Sequence, residues 1–149
     1  MARDRVTSIL RTALIPSIAL VALALGIGCV KEPEPIGKAG FHDDFNRASL
    51  GADWHNTGGP YAIKDGALTI SDARNHPLWL KRPLPRDVRI EFDVRSDSPD
   101  GDIKVEVFGD GRSYAKTDSY TATSYVVIFG GWHNRLNVLA RMNEHGEDR

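Results

Sequence analysis

Glu91 and Asp93 stand two residues apart in an alternating stretch, so on an extended backbone their carboxylates share one face. A carboxylate pair about 5–5.5 Å apart is the equipment of retaining glycoside cleavage, with one group as nucleophile and the other as acid and base. The neighbours Arg89, Arg95 and Lys104 offer a plainer use. They make a solvated face of exposed ion pairs, each worth under about 1 kcal/mol. The residues favour that plainer use.

Trp132, His133 and Asn134 follow two glycines, Gly130 and Gly131, at the expected tip of a hairpin. An indole on a loop can stack on the CH face of a sugar while amide and imidazole groups bond its hydroxyls. Alternatively Trp132 folds back over the core and His133 is merely exposed. His76 and Trp79 form a second such pair, with Trp79 on the side opposite Leu78 and Leu80. Glu144, His145, Asp148 and Arg149 make a polar cluster at the end of the sequence. A histidine between carboxylates can bind metal, but no second histidine lies at metal spacing. A solvated tail is the plainer expectation there. Asp97, Asp100 and Asp102 around Gly101 offer oxygen ligands for calcium, although their spacing misses the regular calcium loop. No Ser-His-Asp order, phosphate-cradling glycine loop or metal-spaced Cys/His pair is present, so the sequence implies no cofactor.

The elements that must hold these residues are strands. Val88, Ile90, Phe92 and Val94 alternate with Arg89, Glu91, Asp93 and Arg95, the pattern of an antiparallel strand with one buried face. Asp102–Phe108 repeats it, with Ile103, Val105 and Val107 expected inward and Lys104 and Glu106 outward. Tyr120–Phe129 is rich in threonine, tyrosine and valine. Arg135–Met142 alternates through Leu136, Val138, Ala140 and Met142. Asp65-Gly66 between Tyr61–Lys64 and Ala67–Ile70 is a hairpin signal. Pro99-Asp100-Gly101 is expected to turn one strand into the next, and Pro83 and Pro85 end the strand Leu78–Lys81. No segment after the N-terminal region has a helical period. The expected class is all-β, an antiparallel β-sandwich or barrel.

Phe41-His42-Asp43-Asp44-Phe45-Asn46-Arg47, then Leu50-Gly51, Trp54, Tyr61-Ala62-Ile63 and Asp65-Gly66-Ala67-Leu68, resembles the opening of concanavalin A-like lectin/glucanase jelly rolls. The nearest likeness is to bacterial secreted domains related to the 3-keto-disaccharide hydrolase family. The resemblance covers most of 41–149 and implies a jelly-roll sandwich. It also implies that the domain is incomplete, because such domains continue through several more strands. Retaining glucanases of this fold carry Glu-x-Asp-x-Glu on one strand, whereas here Arg95 takes the third position after Glu91 and Asp93. In the related family an "E-H-G" turn like Glu144-His145-Gly146 lies near the site.

The N-terminus carries an address. Arg3, Arg5 and Arg11 precede an apolar run, Thr12–Gly28, which ends at Cys29, the sole cysteine. A charged start, a short apolar core and small residues at the exit make a secretory signal, expected as a helix over 1–28. The segment resembles a bacterial lipoprotein signal with Cys29 as the lipidated first residue. Several acyl chains at about 0.8 kcal/mol per buried CH₂ would hold the protein firmly. Val30, rather than an aspartate, follows, which points to the outer membrane in a Gram-negative cell. Residues 29–40 are proline-rich and charged, a spacer before a single domain at 41–149. Removing 1–28 takes Arg3, Arg5, Arg11 and Asp4 from totals of 19 basic and 20 acidic residues, leaving a net charge of −3. That balance argues against a nucleic-acid partner.

The expectation is a lipid-anchored cell-envelope β-sandwich that binds carbohydrate or another surface partner. Its rivals are a glycoside-cleaving enzyme with Glu91, Asp93 or His133 in the site, and an inactive remnant.

Overall fold

The computed structural model describes residues 33–117 and 120–146. The expected signal segment, Cys29, Asp148 and Arg149 lie outside the described residues. Seven strands are described: β1 Trp54–Asn56, β2 Ala62–Lys64, β3 Ala67–Thr69, β4 Leu78–Leu80, β5 Ile103–Val107, β6 Tyr125–Gly130 and β7 Leu136–Arg141. The only helical turn among the described residues is the four-residue Gly131–Asn134. The fold is all-β, built of three small antiparallel sheets.

β2 and β3 form the expected hairpin, in register Ala62↔Thr69, Ile63↔Leu68 and Lys64↔Ala67. Asp65 and Gly66 both take positive φ, 51° and 73°, as the two-residue turn that follows strand twist requires. β1 pairs with β4 through Trp54↔Leu80, His55↔Trp79 and Asn56↔Leu78. The third sheet runs in the order β5-β6-β7. Its core sits on one face, where Val126, Ile128 and Ala140 are buried together with Ala122. Tyr120, Trp132 and Val138 pack against that cluster.

Two expectations are corrected. Val88–Arg95 forms no ladder, and the whole of 85–100 is exposed. Alternation requires only that one face be apolar; it does not supply a neighbouring strand, and none of the described strands lies beside this segment. The second correction concerns the two faces of β5. Directly opposed residues share a face, and Ile103, Val105 and Val107 oppose Phe129, Val127 and Tyr125, all three of them exposed. Lys104 and Glu106 instead share the face of Ile128 and Val126. The inner face accepts these charges because each is satisfied there. Glu106 accepts from the Tyr120 hydroxyl at 2.7 Å, the Thr123 amide at 2.7 Å and hydroxyl at 2.8 Å, and the Ser124 amide at 3.2 Å. Lys104 Nζ lies 2.8 Å from Glu144.

Candidate functional site

The hairpin tip between β6 and β7 is wound left-handed. Gly130 has φ 68° and ψ 31°, Trp132 52° and 58°, His133 59° and 49°, and Asn134 φ 60°. For a residue with a Cβ this conformation costs on the order of 1 kcal/mol, and it persists only where the surroundings enforce it. The enforcing contacts come from the loop before β5. The Asp102 amide donates to the Gly130 carbonyl at 2.9 Å and the Asn134 amide to the Asp100 carbonyl at 3.1 Å. His133 Nδ1 lies 2.8 Å from Asp100 Oδ1. The Asn137 side chain accepts from the Gly130 amide at 3.0 Å. The two loops touch so closely that a Cβ on Gly101, itself at φ 70°, would stand 2.4 Å from the Gly130 oxygen. Only glycine fits there.

This turn holds Trp132 against the core on one side and at the wall of a cleft on the other. The cleft has a volume of about 300 Å³, at the small end of ligand sites. Its polar wall is Lys104, Asp102, Glu144 and His145. Lys104 Nζ lies 2.8 Å from Glu144 Oε1 and 3.5 Å from Asp102 Oδ2, and His145 Nε2 lies 3.3 Å from the same Glu144 oxygen. The His145 ring meets the Trp132 ring edge-on, with centroids 5.6 Å apart and planes at 81°. Tyr120 and Asn75 complete the lining. Burial pushes the Tyr120 hydroxyl well above the usual phenol range, and its hydrogen bond to the Glu106 carboxylate pushes it further in the same direction. Tyr120 is therefore a neutral donor already committed to Glu106.

A larger depression, about 430 Å³, lies along the opening motif from Phe41 to Asp53. Its central carboxylate is fully engaged. Asp43 takes a two-pronged ion pair from Arg47, the Trp54 indole N–H at 2.7 Å and the Phe45 amide at 2.9 Å. The Arg47 guanidinium, followed by the indole and amide donors, holds the Asp43 carboxyl far below its ordinary value despite burial acting the other way. Arg47 also donates to the Leu50 carbonyl at 2.7 Å. This network fastens a loop to β1. We therefore place the candidate site at Trp132, where two carboxylates, an ammonium and an imidazole converge on a partly open ring.

Of the residues singled out from sequence, Asp102, Trp132, Glu144 and His145 meet in the cleft. His133 and Asn134 form the turn that carries Trp132. Trp79 is elsewhere and buried, 8% exposed, with its indole N–H given to the Ser113 carbonyl at 3.0 Å. His76 donates from Nδ1 to the Thr57 carbonyl at 2.9 Å and stacks on Tyr114 with centroids 5.1 Å apart. Glu91 pairs with Arg89 at 2.6 Å on the exposed segment that also holds Asp93. The three aspartates considered for calcium face three different basic side chains: Asp97 faces Arg95, Asp100 faces His133 and Asp102 faces Lys104. No group of three or more metal-ligating side chains converges among the described residues. Lys104, Tyr120 and Asn75 were not singled out from sequence. Lys104 sits in an alternating strand that reads as a solvated face, and its partner Glu144 is 40 residues away.

No protein-family model, curated protein or solved structure matches the chain.

Proposed function

We propose that this chain is a lipid-anchored cell-envelope β-sandwich of the concanavalin A-like, jelly-roll type, and that its cleft beside Trp132 binds a carbohydrate. The observation that carries the binding proposal is the strained turn at Trp132. Backbone strain of this kind gathers at ligand clamps, and here it holds an aromatic ring at the rim of a polar cleft. The chemistry of the lining suits a sugar ring. The indole offers an apolar face for the CH side of a pyranose, Lys104 and His145 offer donors, and Glu144 and Asp102 offer acceptors for hydroxyls. The anchor proposal rests on the basic start, the apolar run and the single Cys29.

Glycan-array binding by the full chain in mild detergent tests the site. Trp132→Ala should abolish binding and Trp132→Phe should keep part of it, with circular dichroism unchanged in both. Binding that survives Trp132→Ala, or a wild-type chain that retains no glycan, overturns the proposal. Acyl labelling tests the anchor separately: Cys29→Ala should lose both lipid incorporation and membrane fractionation.

A further inference from the structure

Three aspartates in the chain are followed by glycine: Asp65-Gly66, Asp100-Gly101 and Asp110-Gly111. An Asp-Gly pair can rearrange without an enzyme. The glycine nitrogen attacks the aspartyl Cγ, a new N–Cγ bond closes a five-membered imide, and a carboxyl oxygen leaves as water. Water then opens the ring. Opening at the Cγ carbonyl restores aspartate, whereas opening at the main-chain carbonyl leaves the chain running through Cβ, an isoaspartyl residue. Glycine permits the attack because it carries no Cβ to obstruct its nitrogen. By sequence the three pairs are equals. In the folded chain they are not.

Asp100-Gly101 is held at both reacting groups. Asp100 Oδ1 lies 2.8 Å from His133 Nδ1, and the Gly101 amide donates to the Ser98 carbonyl at 3.2 Å. The Gly101 backbone also lies hard against the Gly130 carbonyl, which leaves it no room to swing. At Asp110-Gly111 the carboxylate is held. It accepts from the Arg112 amide at 2.9 Å, the Ser113 amide at 2.8 Å and the Ser113 hydroxyl. Burial alone would raise the Asp110 carboxyl, but these donors outweigh it and keep it below its ordinary range, away from the protonated form that loses water. Asp65-Gly66 differs on every count. Neither the Asp65 carboxylate nor the Gly66 amide has a hydrogen bond or ion pair among the described residues, and both residues are exposed. The space beyond Gly66 is open. Ring closure must turn the Asp65 Cα–C bond, and the pairing of Lys64 with Ala67 is the sole described restraint across it.

We infer that Asp65 is the modification site of this chain, its carboxyl closing on the Gly66 nitrogen and reopening as isoaspartate while the other two Asp-Gly pairs are protected. The change reaches beyond one residue. It adds a methylene to the main chain inside a two-residue turn whose fit depends on positive φ at both positions. The modified turn no longer matches the register Ala62↔Thr69, Ile63↔Leu68 and Lys64↔Ala67, so the β2–β3 sheet opens.

Ageing tests this directly. The full chain is held in mild detergent and weakly acidic buffer at body temperature, then digested, and its peptides are fragmented by electron transfer, which distinguishes isoaspartate from aspartate. Isoaspartate at 65 should form faster than at 100 or 110 by about fivefold or more, the factor set by one hydrogen bond that must break before the ring can close. The same chain in concentrated urea should lose that preference, because all three pairs are then free. A folded chain that isomerises at 100 or 110 as fast as at 65 overturns the inference, as does one that forms no isoaspartate at 65. A preference for 65 that persists undiminished in urea also overturns it, because the selection would then lie in the neighbouring sequence and not in the fold.

Discussion

His133 Nδ1 lies 2.8 Å from Asp100 Oδ1, so the left-handed turn after β6 is fastened to the loop before β5 by a histidine that is itself in the left-handed region. The bond is exposed on both sides, 75% and 66%, and such a pair contributes little. The backbone conformation at His133 costs on the order of 1 kcal/mol, which glycine would not incur. His133→Gly should therefore raise stability by about 0.5 kcal/mol in urea unfolding. A loss of stability would show that the Asp100 contact outweighs the strain.

How far the sequence foretold this depends on the range of the signal. The β2–β3 hairpin was legible because Asp65-Gly66 specifies its turn within two residues. β4, β5 and β7 were legible from local patterning, and β6 from its composition in part, since pairing begins only at Tyr125. The inward face of β5 was not legible. Alternation says which residues share a face, but Glu106 is inward because Tyr120, Thr123 and Ser124 meet it from 14 to 18 residues away. Val88–Arg95 had the clearest strand pattern in the chain yet lacks a partner strand among the described residues, which no local pattern can supply. Of the cleft, Asp102, Trp132, Glu144 and His145 stood out by type, while Lys104 joined them through a contact spanning 40 residues.

Glu106 is the polar keystone of the inner face, and its removal should be felt. Glu106→Ala leaves the Tyr120 hydroxyl and the Thr123 and Ser124 amides without their acceptor, which should cost about 2 kcal/mol. The same contact sets a pH dependence. Tyr120 has its folded-state pKa raised, by burial first and then by Glu106. Its contribution to stability is complete below the unfolded value of about 10 and is lost as pH rises above it. Ultraviolet titration should find one tyrosine resistant to ionisation beyond the others. In Glu106→Gln that titration should move down, toward the ordinary range, while staying above it because burial remains.

The Asp65-Gly66 turn tests whether the small β2–β3 sheet depends on its two residues of positive φ. At Gly66 a methyl group would point into open space, but φ 73° strains any residue with a Cβ. Gly66→Ala should cost about 1 kcal/mol. Asp65→Asn should be nearly neutral, since asparagine tolerates the left-handed region as well as aspartate does. Denaturant midpoints compared at equal m-values would register the difference, and equal effects of the two substitutions would contradict the turn assignment.

Asp43 should control stability at the acid end. Its side chain is 9% exposed and receives charged or neutral donors from Arg47, Trp54 and Phe45. These bonds favour the carboxylate, so the folded-state pKa lies below the unfolded value of about 3.9. A group depressed in this direction contributes its full stability above the unfolded value and loses it as pH falls toward the folded one. Asp43→Ala should cost about 2 kcal/mol near neutrality, because the Arg47 guanidinium and the Trp54 N–H both lose their acceptor. The penalty should shrink as pH falls below about 4, where the wild-type carboxylate begins to be protonated in the unfolded chain. Urea melts of both proteins from pH 7 down to pH 2 would show the two curves converging. Parallel curves would mean that the Arg47 and Trp54 contacts do not favour the ionised form, and that the clasp holding the opening motif to β1 is of another kind.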